Sequence, residues 1–286
     1  MKSYKKSRAV TDSFIYLILI IVALATVFPI FYILMGSFKT NIEILNDPAA
    51  VFPKHFSVSN YIKVWNSPEF QIGPMLIHSI IYTVWNVFWA VFVSSMAGYV
   101  FARGKFKTKK FWFICFSSIM FIKTGGIGIY ATFEILHAIH LENSLYALMV
   151  VNAFGVQTVN MYLVMSYVKS LPYEIDEAGR IDGCTFFGIY SKLVLPMLKP
   201  ILATIAILAF QGSWNDYLMP TIFTVSHPEQ RTLIVGLMAL KSSGGVAAEW
   251  GIILAGSAIA LLPVLVVYTI GNKYFVSGLA AGAVKG

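Results

Sequence analysis

Seven residues, Gln211-Gly212-Ser213-Trp214-Asn215-Asp216-Tyr217, interrupt an apolar run between about residues 200 and 223. Asp216 is the only carboxylate inside a predicted membrane span. Polar groups at membrane depth are costly and mark functional positions. An aromatic ring beside amide and carboxylate groups suits a sugar: the ring covers the CH face while the polar groups exchange hydrogen bonds with hydroxyls. The same residues equally suit a contact between two membrane subunits, or a gate. Asn86, and Asn152, Gln157 and Asn160 in another apolar run, are weaker lining candidates. Such side chains also bond to neighbouring helices.

A second polar stretch runs from Leu171 to Gly183, followed by Cys184 to Lys192 and then Leu193-Val194-Leu195-Pro196. Pro172 fits a first helical position. Glu174, Asp176 and Glu177 follow in the first turns, where carboxylates favour the positive end of the helix dipole. Gly183 can take the backbone conformation that stops a helix, and Pro196 is expected to end a second helical segment. Ala178 and Gly179 are small enough for a protein surface to approach closely. A solvated loop between two spans has the same local pattern.

Other chemistries lack their residues. There is no Gly-x-x-x-x-Gly-Lys-Ser/Thr phosphate loop. Gly125-Gly126-Ile127-Gly128 has no such lysine after it and reads as a helix break. Cys115 and Cys184 lie far apart and read as unpaired thiols. His137 and His140 read as surface residues rather than metal ligands. No nucleophile–base set or metal spacing stands out, so the chain reads as a non-enzyme without a cofactor or metal of its own.

The elements that position these groups follow from composition. Apolar residues make up 58% of the 286, charged residues 12%, and mean hydropathy is +0.74. A soluble domain carries roughly 25% charged residues, so water is excluded as the main solvent, and disorder is excluded with it. Six apolar runs, at about 14–35, 75–101, 111–129, 144–168, 200–223 and 250–268, have lengths that suit helices crossing a hydrocarbon core of about 30 Å. The first is too long for a signal-peptide core and ends in Met-Gly-Ser-Phe-Lys, so it reads as an uncleaved span. The expected fold is an all-α integral membrane protein of one domain, residues 1–286, with six transmembrane helices. Segment 130–140 is expected to lie as a short helix at the outer interface.

Lysine and arginine set the orientation. Fifteen of the 21 fall on the side of the N-terminus, and Ala102–Lys110 alone holds five without an acid. That bias places both termini in the cytoplasm. The charge of +8 therefore marks the cytoplasmic membrane face and gives no support to a nucleic-acid partner.

At Glu177-Ala178-Gly179, then Gly183, then nine residues to Leu193-x-Leu195-Pro196, the chain resembles the permease subunits of ABC importers. Their signature is Glu-Ala-Ala, three residues, Gly, nine residues, Ile-x-Leu-Pro. Gly179 and Leu193 are mild departures. Glu-Ala-Gly-Arg-Ile-Asp-Gly is similar to the carbohydrate-uptake branch. So are Pro29 with Gly36-Ser37-Phe38-Lys39, the Phe56–Tyr61 stretch, Trp214–Tyr217, and the ending Phe275–Gly286. The ending resembles the second permease of maltose-type systems.

The resemblance implies a type I ABC importer permease in a bacterial cell membrane, with a coupling loop at 171–196. It implies four kinds of partner: a second related permease, a cytoplasmic ATPase dimer that binds ATP and magnesium, an extracytoplasmic solute-binding protein, and a sugar. Glu174, Glu177, Ala178, Gly179, Arg180, Asp182 and Gly183 would form the helix that docks on the ATPase. Trp214, Asn215, Asp216 and Tyr217 would lie on the translocation path. Gly278, Gly282 and Lys285 would belong to a tail reaching between the ATPases. The alternative function is an ion-coupled secondary transporter, whose class often shows internal repeats and deep charges. This chain has no visible repeat and one deep carboxylate.

Overall fold

Long apolar runs without strand alternation give helices, and the computed structural model of the chain is 79% helical with no strand among the described residues. It describes residues 2–67, 70–122, 125–141, 144–244 and 249–283. Side chains are described within 12–271, except at 68–69, 123–127, 142–143 and 242–248. The helices are α1 (Lys2–Gly36), α2 (Asn41–Asn46), α3 (Ser59–Asn66), α4 (Ile72–Arg103), α5 (Lys109–Ile119), α6 (Gly125–Ala138) and α7 (Leu145–Phe154). They continue with α8 (Thr158–Ser170), α9 (Glu174–Ile181), α10 (Phe186–Met197), α11 (Lys199–Trp214), α12 (Leu218–Phe223), α13 (Leu233–Gly244) and α14 (Trp250–Ala283). Among the described residues, four spans are long and apolar enough to cross a membrane: 12–36, 72–103, 145–170 and 250–271. A fifth arises if α10 and α11, bent by 78°, count as one.

The chain divides into two units, residues 1–72 with 237–262, and residues 73–236 with 263–286. In the first unit, α1 exposes Phe14, Leu17, Ile21, Leu24 and Phe28. Such a surface is stable only out of water, against lipid or another protein. Its exit is tied down by Asn60, whose amide donates to Ser37 O (2.8 Å) and Lys39 O (2.7 Å). Ser37 bonds Tyr61 at 2.7 Å, and the buried Lys39 ammonium donates to Ala50 O. Two of the stretches that carry the family resemblance thus meet in space. Gly251 of α14 backs directly onto the Asn60 side chain, where a Cβ would stand 2.6 Å from Asn60 Oδ1.

The second unit is organised by α4, whose Tyr82, Tyr99 and Phe101 each enter a different buried cluster. Its Gly98 lets α8 come very close: a Cβ there would stand 2.5 Å from Val164 Cβ and 3.0 Å from the Met165 backbone nitrogen.

Three local expectations change. The glycine run 125–128 opens α6 instead of breaking a helix, and the interruption falls before it. A glycine costs a helix interior about 1 kcal/mol, but the first turn has unpaired N–H groups in any case. Pro196 does not end its segment. A π-turn at Tyr190–Val194 precedes it, the helix continues to Met197, and the bend comes at Leu198. A π-turn shifts the hydrogen-bond register, so proline here begins a new helical turn, where its missing N–H is tolerated. Finally, the expected span 144–168 is interrupted at Gly155–Gln157 between α7 and α8.

Candidate functional site

The loop helix α9 ends as its sequence predicts. Cys184 N donates to Gly179 O (2.8 Å) and Gly183 N to Arg180 O (3.0 Å), with Gly183 at φ +77°. This is a Schellman stop, which needs a residue in the left-handed region and therefore favours glycine. Thr185 then caps α10 by accepting from Gly188 N at 3.1 Å.

One face of α9 is seated and the other is bare. Glu174, Glu177, Ala178, Arg180, Asp182 and Gly183 are exposed. Ile181 is 87% exposed, an unusual position for a large aliphatic side chain. Gly179 is buried against α10: a Cβ would meet Ile189 and Leu193 at 2.9 Å. The close approach expected at Gly179 is therefore made by the chain's own next helix.

The seat is an ion pair that the composition did not reveal. Asp176 is 1% exposed and its Oδ2 lies 3.0 Å from Arg103 Nε at the end of α4. Arg103 also donates to Leu171 O at 2.8 Å and Pro172 O at 3.4 Å, and its guanidinium lies over the Tyr173 ring at 5.1 Å. Tyr99 OH donates to Asp176 Oδ1 at 3.4 Å. Arg180 donates to Tyr173 OH at 3.0 Å. The hydrogen bond raises its already high pKa further. The usable signal was spacing: Asp176 lies three residues before Gly179, on the same helix face.

The second feature is a cavity of about 500 Å³ lined by Tyr82, Asn86, Asn152, Gln157, Asn160 and Asp216, among others. Tyr82 OH donates to Asp216 Oδ2 at 2.8 Å, and Met219 N to Asp216 Oδ1 at 3.4 Å. The Asn152 amide donates to Tyr82 OH (3.3 Å) and to Asn86 Oδ1 (3.2 Å). Asn160 donates to Gln157. The break 155–157 lines this cavity, as does Asp216 of the break 215–217. Non-helical backbone at membrane depth is tolerated where it borders such a space.

Of the four residues expected on the path, Asp216 is on the cavity wall and the others are elsewhere. Trp214 is buried, stacks on Phe210 at 5.7 Å, and lines an apolar groove with Val84, Phe88 and Ile207. Asn215 bonds back to Gln211 O at 2.9 Å, and Tyr217 is exposed. The weaker candidates Asn86, Asn152, Gln157 and Asn160 are all on the wall. Of the expected tail, Gly278 and Gly282 lie in α14, while Lys285 falls outside the described residues.

Residues 1–280 match the family described as "Binding-protein-dependent transport system inner membrane component". The chain belongs to this family. Relatives include an "Arabinooligosaccharides transport system permease protein AraQ" of Bacillus subtilis (strain 168), 32% identical over 272 residues, or 94% of each chain. Another is an "Inner membrane ABC transporter permease protein YcjP" of Escherichia coli (strain K12), 29% identical over 261 residues, covering 91% of this chain and 92% of that one. A solved "bacterial ABC transporter involved in the import of the acidic polysaccharide alginate" contains a chain of the same fold. Its TM-score is 0.81 at 23% identity, covering 94% of this chain and 98% of that one. The permease is thus a membrane-embedded transport subunit of an ABC importer with the type I fold, and ATP hydrolysis belongs to a separate subunit. The ion-coupled alternative finds no support in these matches.

Proposed function

We propose that this permease is one of two membrane halves of an ATP-driven sugar or oligosaccharide importer. The second half is a related permease, an ATPase dimer binds ATP and magnesium in the cytoplasm, and an external binding protein delivers the sugar. Six crossings serve this role, at about 14–35, 75–101, 111–129, 144–168, 200–223 and 250–268. The excess of basic residues favours both termini, and α9, on the cytoplasmic side.

The observation that carries this reading is the state of α9. Its inner face is fixed to α4 by Arg103–Asp176, while Glu174, Glu177, Ala178, Arg180 and Asp182 are left bare for a partner. Motion of the ATPases would then reach α4 directly. That helix carries Tyr82 and Asn86 on the cavity wall and Arg103 beside α9. The cavity is read as this half's share of the sugar path. By the same resemblance, the tail through Gly278, Gly282 and Lys285 reaches between the ATPases. The relatives' names include arabinooligosaccharides and an acidic polysaccharide, so the charge of the sugar must be sought in the wall itself.

Co-purification tests the docking. Combining Glu177→Lys with Gly183→Val reverses a contact charge and strains the left-handed stop. ATPase recovered with the permease should fall at least ~10-fold, equivalent to about 1.4 kcal/mol. Full recovery with the double variant, or uptake by the permease alone, would overturn the proposal.

A further inference from the structure

We propose that the cavity wall of this permease is negatively charged through Asp216, admits uncharged or cationic sugars, and holds back anionic ones. The inference rests on reading the cavity as part of the sugar path.

The wall has one ionisable carboxylate and no Lys, Arg or His among its described residues. Its other polar groups are the Tyr82 and Ser213 hydroxyls and the amides of Asn86, Asn152, Gln157 and Asn160. Amides and hydroxyls both donate and accept, which matches a polyol. Both Asp216 oxygens receive donors, Tyr82 OH at 2.8 Å and Met219 N at 3.4 Å. These donors hold the carboxylate in place on the wall. Asn152 bonds Tyr82 OH in turn, so the carboxylate sits in a built network. An anionic sugar entering here would meet a fixed like charge with no cation on this wall to offset it, a recognised means of rejecting a ligand. A hydroxyl or ammonium group meets an acceptor.

The test reads the wall's charge without knowing the sugar. Gly212 lines the cavity, and a Cβ built on it meets nothing within 4 Å. In the assembled importer, in a C115A/C184A background, G212C and S213C would each be treated with a cationic and an anionic methanethiosulfonate of similar size. Each rate is normalised to that reagent's rate with a free thiol. The cationic reagent should react on the order of 10-fold faster, since a charged cleft concentrates counter-ions by about that factor or more. Adding Asp216→Asn, which keeps the shape and removes the charge, should bring the two rates within about 3-fold. Equal rates with Asp216 present, or a preference that survives Asp216→Asn, would overturn the charged wall. Failure of both reagents at both positions would instead overturn the parent reading, because a sugar path must admit water-borne reagents.

Discussion

Replacing Arg103 with Met, or Asp176 with Leu, should each release α9 from α4, while the two replacements together should do less harm than either alone. Asp176 and Arg103 are nearly sealed from solvent, with side chains 2% and 9% exposed. Removing one partner strands a buried charge and costs about 3–5 kcal/mol, whereas replacing both with apolar groups is often close to neutral. The double variant still loses Arg103's bonds to Leu171 O and Pro172 O, so recovery should be partial. The measurement is a double-mutant cycle on ATPase recovered with the permease, with the melting temperature of the purified complex alongside. A coupling of at least about 2 kcal/mol between the two sites fits a buried pair. Strictly additive losses would show that the pair does not seat the helix.

Gly98→Val should damage folding more than any glycine replacement at the cavity. A Cβ at 98 would stand 2.5 Å from Val164 Cβ, 2.6 Å from its Cγ1 and 3.0 Å from the Met165 backbone nitrogen. Backbone cannot rotate away as a side-chain tip can, so α4 and α8 must separate along a line that includes Tyr99, Val164 and Val168. Overpacking commonly costs 1–3 kcal/mol, and valine adds two methyl groups beyond the Cβ. A drop of about 5–10 °C in melting temperature is expected at 2–4 °C per kcal/mol. Gly212→Ala is the matched control: its Cβ meets nothing within 4 Å, so the shift should stay within about 2 °C. Equal shifts would contradict the close α4–α8 contact.

Local chemistry was legible in the sequence, and long-range partnership was not. Pro172, the acids after it and Gly183 predicted α9 to within two residues, because caps and stops are written in adjacent side chains. Asp176 was read only as a dipole-favouring acid, since its partner sits on a distant helix. Arg103 was counted among five basic residues marking a membrane face, which hid its burial. The break at Gly155–Gln157 was missed because a broken span keeps the hydropathy of an intact one. Trp214 to Tyr217 were read together as an aromatic ring beside amide and carboxylate groups, a pattern that equally suits a sugar, a subunit contact or a gate. Consecutive residues at a helix end point in different directions, however, and only Asp216 of that group reached the wall. Asn86, Asn152, Gln157 and Asn160 had been ranked lower because each alone also suits a bond between helices. The structure shows several of them bonding and lining the cavity at once.

Ile181 offers the most direct test of the account, since it is 87% exposed on the bare side of α9. A photo-crosslinking benzoylphenylalanine in its place, in membranes holding the complete importer, should on irradiation join the permease to the cytoplasmic ATPase. The same group at Phe121, also highly exposed at 85% but outside the loop, should not. Cross-links from position 181 only to lipid or to an external protein would contradict a cytoplasmic coupling helix.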